Sequence, residues 1–530
     1  ENKNGIWARI IKNAFAPLFV GKVDYVAGNP PWVNWESLPD GYRQGMIPLW
    51  QEYGLFTLSG SAGRMGGGKK DLAMIFVYSA VDNYLDEGGK LGFVITQTVF
   101  KTHGAGDGFR QLQFPKGRRT VFLKPLAVHD LSSMQVFEGA TNRTAVFVCE
   151  KRRRAFSYPV SYIIWRGPSR IHPDCSLADV RSSIHEVNMG AAPIDPEKKT
   201  SPWLTAPKRV LYAIQKVIGK SAYRAYEGSN TCGLNGCFWV RILHVKPNGE
   251  LLIENLNNIG KIKIEQVQAV VEPDLVYPLL RGRDVQRWHA EPSAHILLAQ
   301  DPDTRKGIPE SVMKIKYRRT FAYLKQFEGD PQKPERGTLR GRSGYRKYFK
   351  PTDPFYSMFN VGPYTMAKWK VLWPEVGHTV RAAVCGPSEV EERKPCLPDH
   401  TVIAVSCHSA NEAHYIAGLL NSSPARIATA SYIVLHPSPH VMENIAIPHF
   451  EPKKETHKHV ATLSRKCHTA TAKGDLDTVA ALEAEIDRAA AELWGIGDAE
   501  LRGIQDAILE LPQREGDNPG DDEMENEDEE

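Results

Sequence analysis

The sequence predicts an α/β fold, followed by a region of mixed α+β pattern and a helical C-terminal segment. Three patterns predict the α/β part: a short buried strand at Val23–Ala27, a helix and strand within residues 71–97, and a strand–turn–strand within residues 126–150. From residue 453 onward, alanine, glutamate and leucine recur at helical spacing. A chain of 530 residues is too long for one ordinary domain, so we expect several.

The composition is that of a soluble globular protein, with 42% hydrophobic and 24% charged residues. There is no run of about 18 apolar residues and no signal peptide, so we predict a cytoplasmic protein without a membrane-spanning segment. The eight cysteines are scattered, and only Cys232 and Cys237 lie close together in sequence. Because this pair has no matching second pair, we predict reduced thiols and no metal site.

The net charge of +4 conceals an uneven distribution along the chain. Residues 511–530 contain one arginine and ten acidic side chains, so the rest of the chain carries about +13. A basic body of this kind predicts a polyanionic partner such as nucleic acid. The acidic tail, residues 512–530, has no hydrophobic pattern, and we predict that it is disordered.

The first elements of the chain lead into a stiff corner. Residues 5–20 have the apolar spacing of a helix, and the strand at Val23–Ala27 follows. That strand ends at a Gly-Asn-Pro-Pro turn, residues 28–31, in which two prolines fix the backbone and lack N–H donors. Together with the Asn29 amide and the Trp32 ring, this corner suits a planar group that carries an exocyclic amine. The alternative is an ordinary Asn-Pro turn before a core tryptophan.

This corner resembles motif IV, the Asn-Pro-Pro-aromatic corner of the amino-methyltransferases. The resemblance implies that Asn29 and the carbonyl of Pro30 accept hydrogen bonds from the NH₂ group of a target base. It also implies that Pro31 holds the corner and that Trp32 stacks on the base. Two acceptors pull the amino nitrogen toward sp³ geometry, so that its lone pair can attack the methyl sulfonium of S-adenosylmethionine. No strong base is needed, because the proton becomes acidic only once the N–C bond forms.

The next stretch, residues 36–68, is irregular and rich in glycine. A loop of this kind can close over a bound base or a phosphate backbone, which predicts DNA contacts for Lys69 and Lys70; a plain surface loop is the alternative. A phosphate-binding P-loop is not indicated, because the glycine spacing is wrong.

A helix is predicted at 71–85, ending at the Gly88–Gly89 pair, and a buried strand at 90–97. Together with the glycine-rich stretch at 101–110, these elements resemble motifs V and VI of the gamma-class adenine-N6 DNA methyltransferases. By that resemblance Asp71, which opens the helix, is a candidate cofactor contact. Capping of the helix by Asp71 is the alternative.

The strand–turn–strand at residues 126–150 resembles motif VIII, the hairpin at the end of the methyltransferase sheet. By that match Phe137 is the second aromatic ring against the target base, and the alternative is a core phenylalanine. Base flipping is implied, because an adenine N6 inside a duplex cannot reach a buried methyl donor.

The region beyond the basic run at 151–154 interleaves basic and aromatic residues. Residues 278–288 resemble the element that opens the target-recognition region of these enzymes. Further strands are predicted at 369–375 and 401–405, and a helix at 413–423. Arginine suits phosphate and guanine contacts, and plain surface charge is the alternative. We predict DNA contacts by Arg281, Arg283, Arg340, Arg342 and Arg346.

The family's glycine-rich cofactor loop, which precedes motif IV, has no counterpart in this sequence. The resemblance therefore predicts the C-terminal half of a Rossmann-like methyltransferase sheet. The predicted domains are a partial methyltransferase domain (1–155), a target-recognition region (156–452), C-terminal helices (453–511) and the acidic tail (512–530). We expect a missing N-terminal segment or other subunits, and we expect this chain alone to be inactive.

The resemblance implies a site-specific DNA adenine-N6 methyltransferase that uses S-adenosylmethionine and double-stranded DNA. Type IIG restriction–modification enzymes and the methylases of BREX and DISARM phage-defence systems are the comparable group. Two alternatives stay open: a non-catalytic DNA-specificity subunit, and a protein-glutamine methyltransferase, since release-factor methyltransferases share the corner. The long basic region counts against the glutamine enzyme.

Overall fold

The computed structural model describes residues 3–56, 70–102, 104–137, 142–168, 171–172, 174–259, 262, 264–377, 379–388, 394–432 and 437–509. The chain divides into two compact units, Glu1–Tyr212 and Ala213–Glu530. Lys69 and the predicted acidic tail, residues 512–530, lie outside the described residues.

The first unit combines one large sheet with helices. Its helices are α1 (Lys3–Phe15), α2 (Asp40–Glu52), α3 (Ala73–Asn83), α4 (Thr98–Lys101), α5 (Asp107–Arg110) and α6 (Leu177–Ser183). Its strands are β1 (Val23–Gly28), β2 (Leu85–Thr96), β3 (Gln113–Lys116), β4 (Arg119–Asp130), β5 (Thr144–Arg152), β6 (Val160–Arg166), β7 (His185–Pro193) and β8 (Trp203–Ala206).

The sheet of the first unit has the strand order β1-β2-β5-β4-β6-β7-β8, with β3 paired to β4. Strands β1 and β2 are parallel, as are β4 and β6, whereas β4 and β5 form the predicted antiparallel pair. The prediction of an α/β fold is therefore confirmed. The sheet continues as far as Ala206, so residue 155, the predicted end of the first domain, lies between two strands of one sheet.

The turn between α3 and β2 differs from the prediction. The helix ends at Asn83, before the Gly88–Gly89 pair that was expected to stop it, and β2 already begins at Leu85. Val23 of β1 pairs with Leu85 but Tyr25 pairs with Lys90, so the residues between Leu85 and Lys90 form an irregularity in the parallel ladder. Gly88 has a φ of +81°, a conformation that glycine adopts without steric cost.

Helix α1 is unusual for its exposed apolar surface. Its large side chains recur at helical spacing, as predicted, yet each is more than half exposed. These residues are Ile6, Trp7, Ile10, Ile11 and Phe15. Strand β1 lies at one edge of the sheet, and its Tyr25 is 74% exposed. Parallel strands normally have other elements packed on both faces. The edge strand β1 has no buried residue among those the structure describes, so it lacks this packing.

The second unit contains two main sheets and a group of C-terminal helices. A six-stranded sheet has the order β12-β11-β10-β16-β13-β21, and a four-stranded sheet has the order β20-β19-β22-β9. Its strands are β9 (Ala225–Glu227), β10 (Trp239–Val245), β11 (Leu251–Asn255), β12 (Gln268–Val271), β13 (Val276–Leu280), β14 (Val285–Gln286), β15 (His289–Ala290), β16 (Ala294–Leu297), β17 (Gln300–Asp301), β18 (Lys306–Gly307), β19 (Trp369–Pro374), β20 (Ala383–Cys385), β21 (Leu397–Pro398) and β22 (Val402–Cys407).

Helix α7 (Leu211–Val217) contains the division between the units. The later helices are α8 (Asn235–Phe238), α9 (Glu310–Lys316), α10 (Arg318–Lys325), α11 (Ser343–Tyr348), α12 (Ala410–Asn421), α13 (Ser423–Tyr432), α14 (Val441–Asn444), α15 (Glu455–Ala472), α16 (Leu476–Leu493) and α17 (Asp498–Leu509). Strands β19 and β22 pair antiparallel, and α12 follows β22, in agreement with the predicted strands and helix.

The described part of the predicted C-terminal helical segment, residues 453–509, contains three helices. One break lies near Gly495, and another separates α15 from α16. Gly474 adopts a φ of +72° at that break. The carboxylate of Asp475 then accepts a hydrogen bond from the N–H of Thr478 (3.1 Å) and so caps α16.

None of the described helices has both the length and the apolar character needed to cross a membrane.

Two buried histidines contact each other in the second unit. His414 on α12 and His468 on α15 lie edge to face, with ring centroids 4.8 Å apart. Burial is the main cause that lowers the pKa of His414 to about 3 and that of His468 to about 4. His468 accepts a hydrogen bond at Nε2 from the N–H of Val384 (2.9 Å), and its Nδ1 lies 2.8 Å from the carbonyl oxygen of Ser464. These two hydrogen bonds require the neutral form of the His468 ring.

We therefore expect acid to destabilise the second unit. Above about pH 6.5 both rings are neutral in the folded and the unfolded chain. Below that pH the unfolded chain takes up protons that the folded unit refuses, so the free energy of unfolding should fall by about 3 kcal/mol between pH 7 and pH 5. Urea unfolding at the two pH values measures this loss. The His414→Gln variant should lose about half as much as the original protein; equal losses would contradict the assignment.

Candidate active site

The Asn-Pro-Pro-Trp corner lies at the carboxyl end of β1, beside the carboxyl end of its parallel neighbour β2. Gly28, the last residue of β1, pairs with Phe93 of β2. Trp32 is half-buried, and its indole Nε1 donates a hydrogen bond to the carbonyl of Val94 (3.1 Å). This bond across the strands fixes the indole next to the corner. Clefts at the carboxyl ends of parallel strands are a common position for ligands.

Neither of the two predicted acceptors of the corner is used by a donor within the described structure. The side chain of Asn29 is exposed, while Pro30 is buried and holds the turn in place. Neither the Asn29 amide nor the carbonyl of Pro30 forms a hydrogen bond with any other residue that the structure describes. Each can therefore accept a hydrogen bond from a ligand N–H group.

The corner is joined to the start of α3 through the main chain. The N–H of Leu72 donates to the carbonyl of Val33 (2.9 Å), and the N–H of Trp35 donates to the carbonyl of Lys70 (2.7 Å). These two bonds place Asp71 directly beside the corner. Sequence reasoning singled out both segments, and the structure brings them together.

Both carboxylate oxygens of Asp71 are engaged within the protein. One accepts a hydrogen bond from the N–H of Ala73 at the start of α3 (2.8 Å), and the other accepts from the hydroxyl of Thr96 at the end of β2 (2.7 Å). Burial raises the pKa of this carboxyl, and the two hydrogen bonds oppose that rise. This geometry matches the helix-capping alternative; a cofactor contact by Asp71 stays a prediction.

Lys70 does not present its ammonium to solvent as the predicted DNA contact requires. The side chain is buried, with Nζ 5.8 Å from the centroid of the Phe56 ring. Burial is also the main cause that lowers its pKa. We therefore do not propose a DNA contact for Lys70.

Phe137 lies beside Trp32, as the resemblance implied. The two ring centroids are 5.0 Å apart, and the rings meet edge to face at 76°. A base held between two aromatic faces needs roughly 7 Å between them, twice the usual stacking distance. One of the two rings must therefore move before a base can enter between them.

A buried network that sequence reasoning missed supports the segment leading to Phe137. Asp130, the last residue of β4, accepts hydrogen bonds from the hydroxyl of Tyr162 (2.5 Å) and the amide of Gln97 (3.2 Å). Its other oxygen accepts from the N–H of Ser132 (2.8 Å), the second residue of that segment. Asp130 therefore positions the start of the segment that carries Phe137.

Lys101 extends this network. Its Nζ lies 2.6 Å from the hydroxyl of Thr205 and 5.4 Å from the centroid of the Tyr162 ring. Burial lowers the pKa of Lys101 to about 7, and the charge of Asp130 opposes that shift. The strand pattern before Asp130 was visible in the sequence, but nothing in it indicated that Gln97, Lys101 and Tyr162 converge there.

A cavity of about 410 Å³ lies elsewhere in the first unit. It is lined by residues such as Lys124 in the middle of β4 and Arg152 at the end of β5. Its lining includes neither Asn29, Trp32 nor Phe137, so we do not assign this cavity to the site.

Three of the five arginines predicted to bind DNA are engaged within the second unit. Arg281 is buried, and its Nε donates to the Asp284 carboxylate (3.2 Å). Arg340 forms an ion pair with Glu328 (2.7 Å). Arg342 is buried and donates to the main-chain carbonyls of Leu339, Thr231, Phe355 and Ser357. These guanidinium groups have structural partners, which a count of charges in the sequence cannot reveal.

Arg283 and Arg346 are exposed. Arg283 lies 4.0 Å from the Asp284 carboxylate, whereas Arg346 forms no ion pair with any residue in the described ranges. Of the predicted set, Arg346 is therefore the best placed to meet a phosphate group.

No group of three or more His, Cys, Asp or Glu residues within the described ranges could hold a metal ion.

Residues 2–120 match the family model described as Eco57I restriction-modification methylase. The matched segment contains the corner, Asp71 and all of β2. The match supports a methyltransferase of the restriction–modification family for this part of the chain. No curated protein matches the sequence.

Several solved structures share weak similarity with the chain. One is the Type IIL restriction-modification enzyme MmeI in complex with DNA, at 13% identity and a TM-score of 0.48, covering 92% of this chain and 57% of that one. Another is the type IIG restriction endonuclease BpuSI, at 11% identity and a TM-score of 0.26, covering 90% and 55%. A third is the ATP-dependent Type ISP enzyme LlaBIII bound to DNA, at 10% identity and a TM-score of 0.37, covering 84% and 30%.

The chain spans a little over half the length of the first two of these proteins. At such identities and TM-scores, the similarities transfer no activity to this chain.

Proposed function

We propose that this chain is the C-terminal part of a site-specific DNA methyltransferase that methylates adenine N6 after base flipping. The observation that carries the proposal is the corner after β1. Two unoccupied acceptors, at Asn29 and Pro30, lie there beside an indole that is fixed by its own hydrogen bond to Val94. The family match of residues 2–120 supports the same class of enzyme.

The corner suits the chemistry of an exocyclic amine. The Asn29 carbonyl and the Pro30 carbonyl would each accept one N6 hydrogen of the flipped adenine, while Trp32 covers one face of its ring. These bonds would localise the nitrogen lone pair for attack on the methyl carbon. The new N–C bond would form as the methyl–sulfur bond breaks, and the nitrogen would then release its proton to solvent, so the scheme needs no strong base at the corner. S-adenosylmethionine supplies the electrophilic methyl group when it is bound.

Asp71, the one candidate cofactor contact, already uses both carboxylate oxygens within the protein. We propose that another polypeptide segment supplies the cofactor-binding half and covers the open edge at β1. The exposed apolar side chains of α1 and the exposed Tyr25 support this, because a surface of that kind is normally buried against a partner. On its own, this chain should be inactive.

We place the enzyme in the gamma class, with a Rossmann-like sheet in the complete protein. The target-recognition region, predicted to begin after residue 155, would instead begin after β8, the last strand of the first sheet. The C-terminal helices, from residue 453, would pack on that region. A cytoplasmic restriction–modification or phage-defence system of the type IIG, BREX or DISARM kind is the proposed setting.

A non-catalytic DNA-specificity subunit is the second candidate. The engaged carboxylate of Asp71 favours it, whereas the unoccupied acceptors at Asn29 and Pro30 favour the enzyme. A protein-glutamine methyltransferase would use the same corner, but it gives no reason for the positive charge of the predicted target-recognition region, residues 156–452.

Methyl transfer tests the proposal. The chain, alone and joined to its upstream coding sequence, would be incubated with tritiated S-adenosylmethionine and mixed-sequence duplex DNA. We expect label in the DNA only when the upstream segment is present. Tight DNA binding without transfer in both cases would instead support the specificity subunit.

Replacing Trp32 with alanine should weaken capture of the flipped base by about tenfold, because stacking on an aromatic ring contributes about 1–3 kcal/mol per base. The fluorescence rise of 2-aminopurine, placed at the mapped methylation position of a duplex, measures capture. Tyr42→Ala is a matched control, since Tyr42 is an exposed aromatic residue on α2. An unchanged signal in Trp32→Ala would remove Trp32 from the site.

A further inference from the structure

Two aromatic rings of the second unit stack on each other at the protein surface. Tyr348, the last residue of α11, and Phe359 have ring centroids 4.4 Å apart and an interplanar angle of 11°. Tyr348 is 50% exposed and Phe359 is 37% exposed. A stacked pair that is left this open to water presents a flat apolar surface to a ligand.

Hydrogen bonds connect the two segments that carry these rings. The buried Arg342, just before α11, donates to the carbonyls of Thr231, Phe355 and Ser357 and so ties the helix to the segment that carries Phe359. Phe359 in turn exchanges two main-chain hydrogen bonds with Asn230 (2.9 and 3.0 Å).

The packing beneath α11 is equally tight. A Cβ atom added at Gly344 would lie 2.8 Å from the Cβ of Cys232, so only glycine permits the helix to pack this closely. The hydroxyl of Tyr345 also donates to the carbonyl of Asp353 (2.7 Å). The aromatic pair is therefore presented at a fixed position.

Three cations without acidic partners lie within two residues of Tyr348 in sequence. Arg346, Lys347 and Lys350 are exposed, and none forms an ion pair with a residue that the structure describes. The ammonium of Lys347 lies 5.2 Å from the centroid of the Tyr348 ring. By contrast, Arg340 in the same segment is neutralised by Glu328. The unpaired positive charge is thus concentrated beside the exposed rings.

We propose that Tyr348, backed by Phe359, stacks on an unstacked nucleobase of bound DNA while Arg346, Lys347 and Lys350 contact the flanking phosphates. This inference rests on the proposed function and deepens it, since flipping a base out of a duplex leaves the neighbouring bases without a stacking partner. Positive charge complements the phosphates, and an aromatic ring accepts any base because every base has a flat π-face. An acidic peptide would satisfy the cations but would leave the ring face uncovered.

The test compares the full chain with three variants of Tyr348, using fluorescence anisotropy. The probes are a labelled mixed-sequence duplex and the same duplex with one abasic site, which exposes the faces of the neighbouring bases. We expect Tyr348→Ala and Tyr348→Leu to bind the abasic duplex about tenfold more weakly, and Tyr348→Phe to bind within about twofold of the original chain. Tyr42→Ala is the control for loss of an exposed tyrosine.

Heparin and salt separate stacking from charge. Heparin is a polyanion without bases, so Tyr348→Ala should bind it as the original chain does. Arg346→Gln and Lys347→Gln should each lower the salt dependence of DNA binding by about one phosphate contact, and Tyr348→Ala should leave that dependence unchanged.

Three results would overturn the stacking contact. They are undiminished abasic-duplex binding by Tyr348→Ala, equal losses in Tyr348→Phe and Tyr348→Ala, and a parallel loss of heparin binding. Because these assays contain no S-adenosylmethionine, their outcome is independent of methyl transfer. A chain that methylates adenine but fails here would keep the proposed function and lose only this contact.

Discussion

Replacing Asn29 with alanine is expected to abolish methyl transfer by the complete protein while leaving duplex binding nearly intact. The variant removes one of the two acceptors that would polarise the target amine, and transfer should fall at least about a hundredfold, as when one preorganised hydrogen-bonding group is removed from an active site. Binding should persist because Asn29 is exposed at the corner and its side chain forms no hydrogen bond with another described residue. Transfer is measured with tritiated S-adenosylmethionine, and binding is measured by anisotropy.

Asn34→Ala is the matched control for this substitution. Asn34 is also an exposed asparagine, five residues downstream, and it joins the fold through a main-chain bridge to Asp71. It should retain both transfer and binding. If Asn29→Ala instead lost DNA binding together with transfer, Asn29 would be a binding or structural residue, and the role assigned to it would be wrong.

Replacing Arg342 with alanine should destabilise the second unit by about 3 kcal/mol or more. Arg342 is buried and donates to four main-chain carbonyls, which its removal would leave without their donor in a region closed to water. Burial also lowers its pKa, in keeping with a guanidinium that is held away from solvent. Urea unfolding, followed by tryptophan fluorescence, measures the loss.

Arg346→Ala is the matched control, for which we expect the opposite result. Arg346 is exposed and forms no ion pair with the described residues, so its removal should leave stability within about 0.5 kcal/mol and weaken DNA binding instead. An Arg342→Ala protein that is fully stable but binds DNA poorly would reverse the two assignments and return Arg342 to the DNA surface.

The corner could be predicted from the sequence because its determinants are local. Prolines and a glycine next to a short, mostly apolar stretch that contains Val23 and Val26 fix a strand and a turn without help from the rest of the chain. The helix–strand segment after Asp71 and the antiparallel β4–β5 pair were predictable for the same reason. The bulge at the start of β2 was not, because the glycine pair that suggests a helix end serves equally well in an irregular strand.

The support for the site could not be predicted, because it depends on contacts between distant segments. Asp130 gathers Gln97 and Tyr162, which lie more than 30 residues away on either side of it in sequence. The arginines illustrate the same limit. Arg342 and Arg346 are four residues apart, and the sequence alone does not distinguish them. Arg342 is buried and donates to four main-chain carbonyls, whereas Arg346 is exposed. Only the fold distinguishes a structural cation from one that is available to a ligand.

The identity of the methylated product decides whether the Asn29 corner holds an adenine. The complete protein would be incubated with mixed-sequence duplex DNA and tritiated S-adenosylmethionine, and the DNA would then be digested to nucleosides and separated. The geometry of the Asn29 corner predicts label in N6-methyl-2′-deoxyadenosine and in no other nucleoside. Label in a different nucleoside, or in protein glutamine, would contradict the claim that this corner holds the exocyclic amine of a flipped adenine.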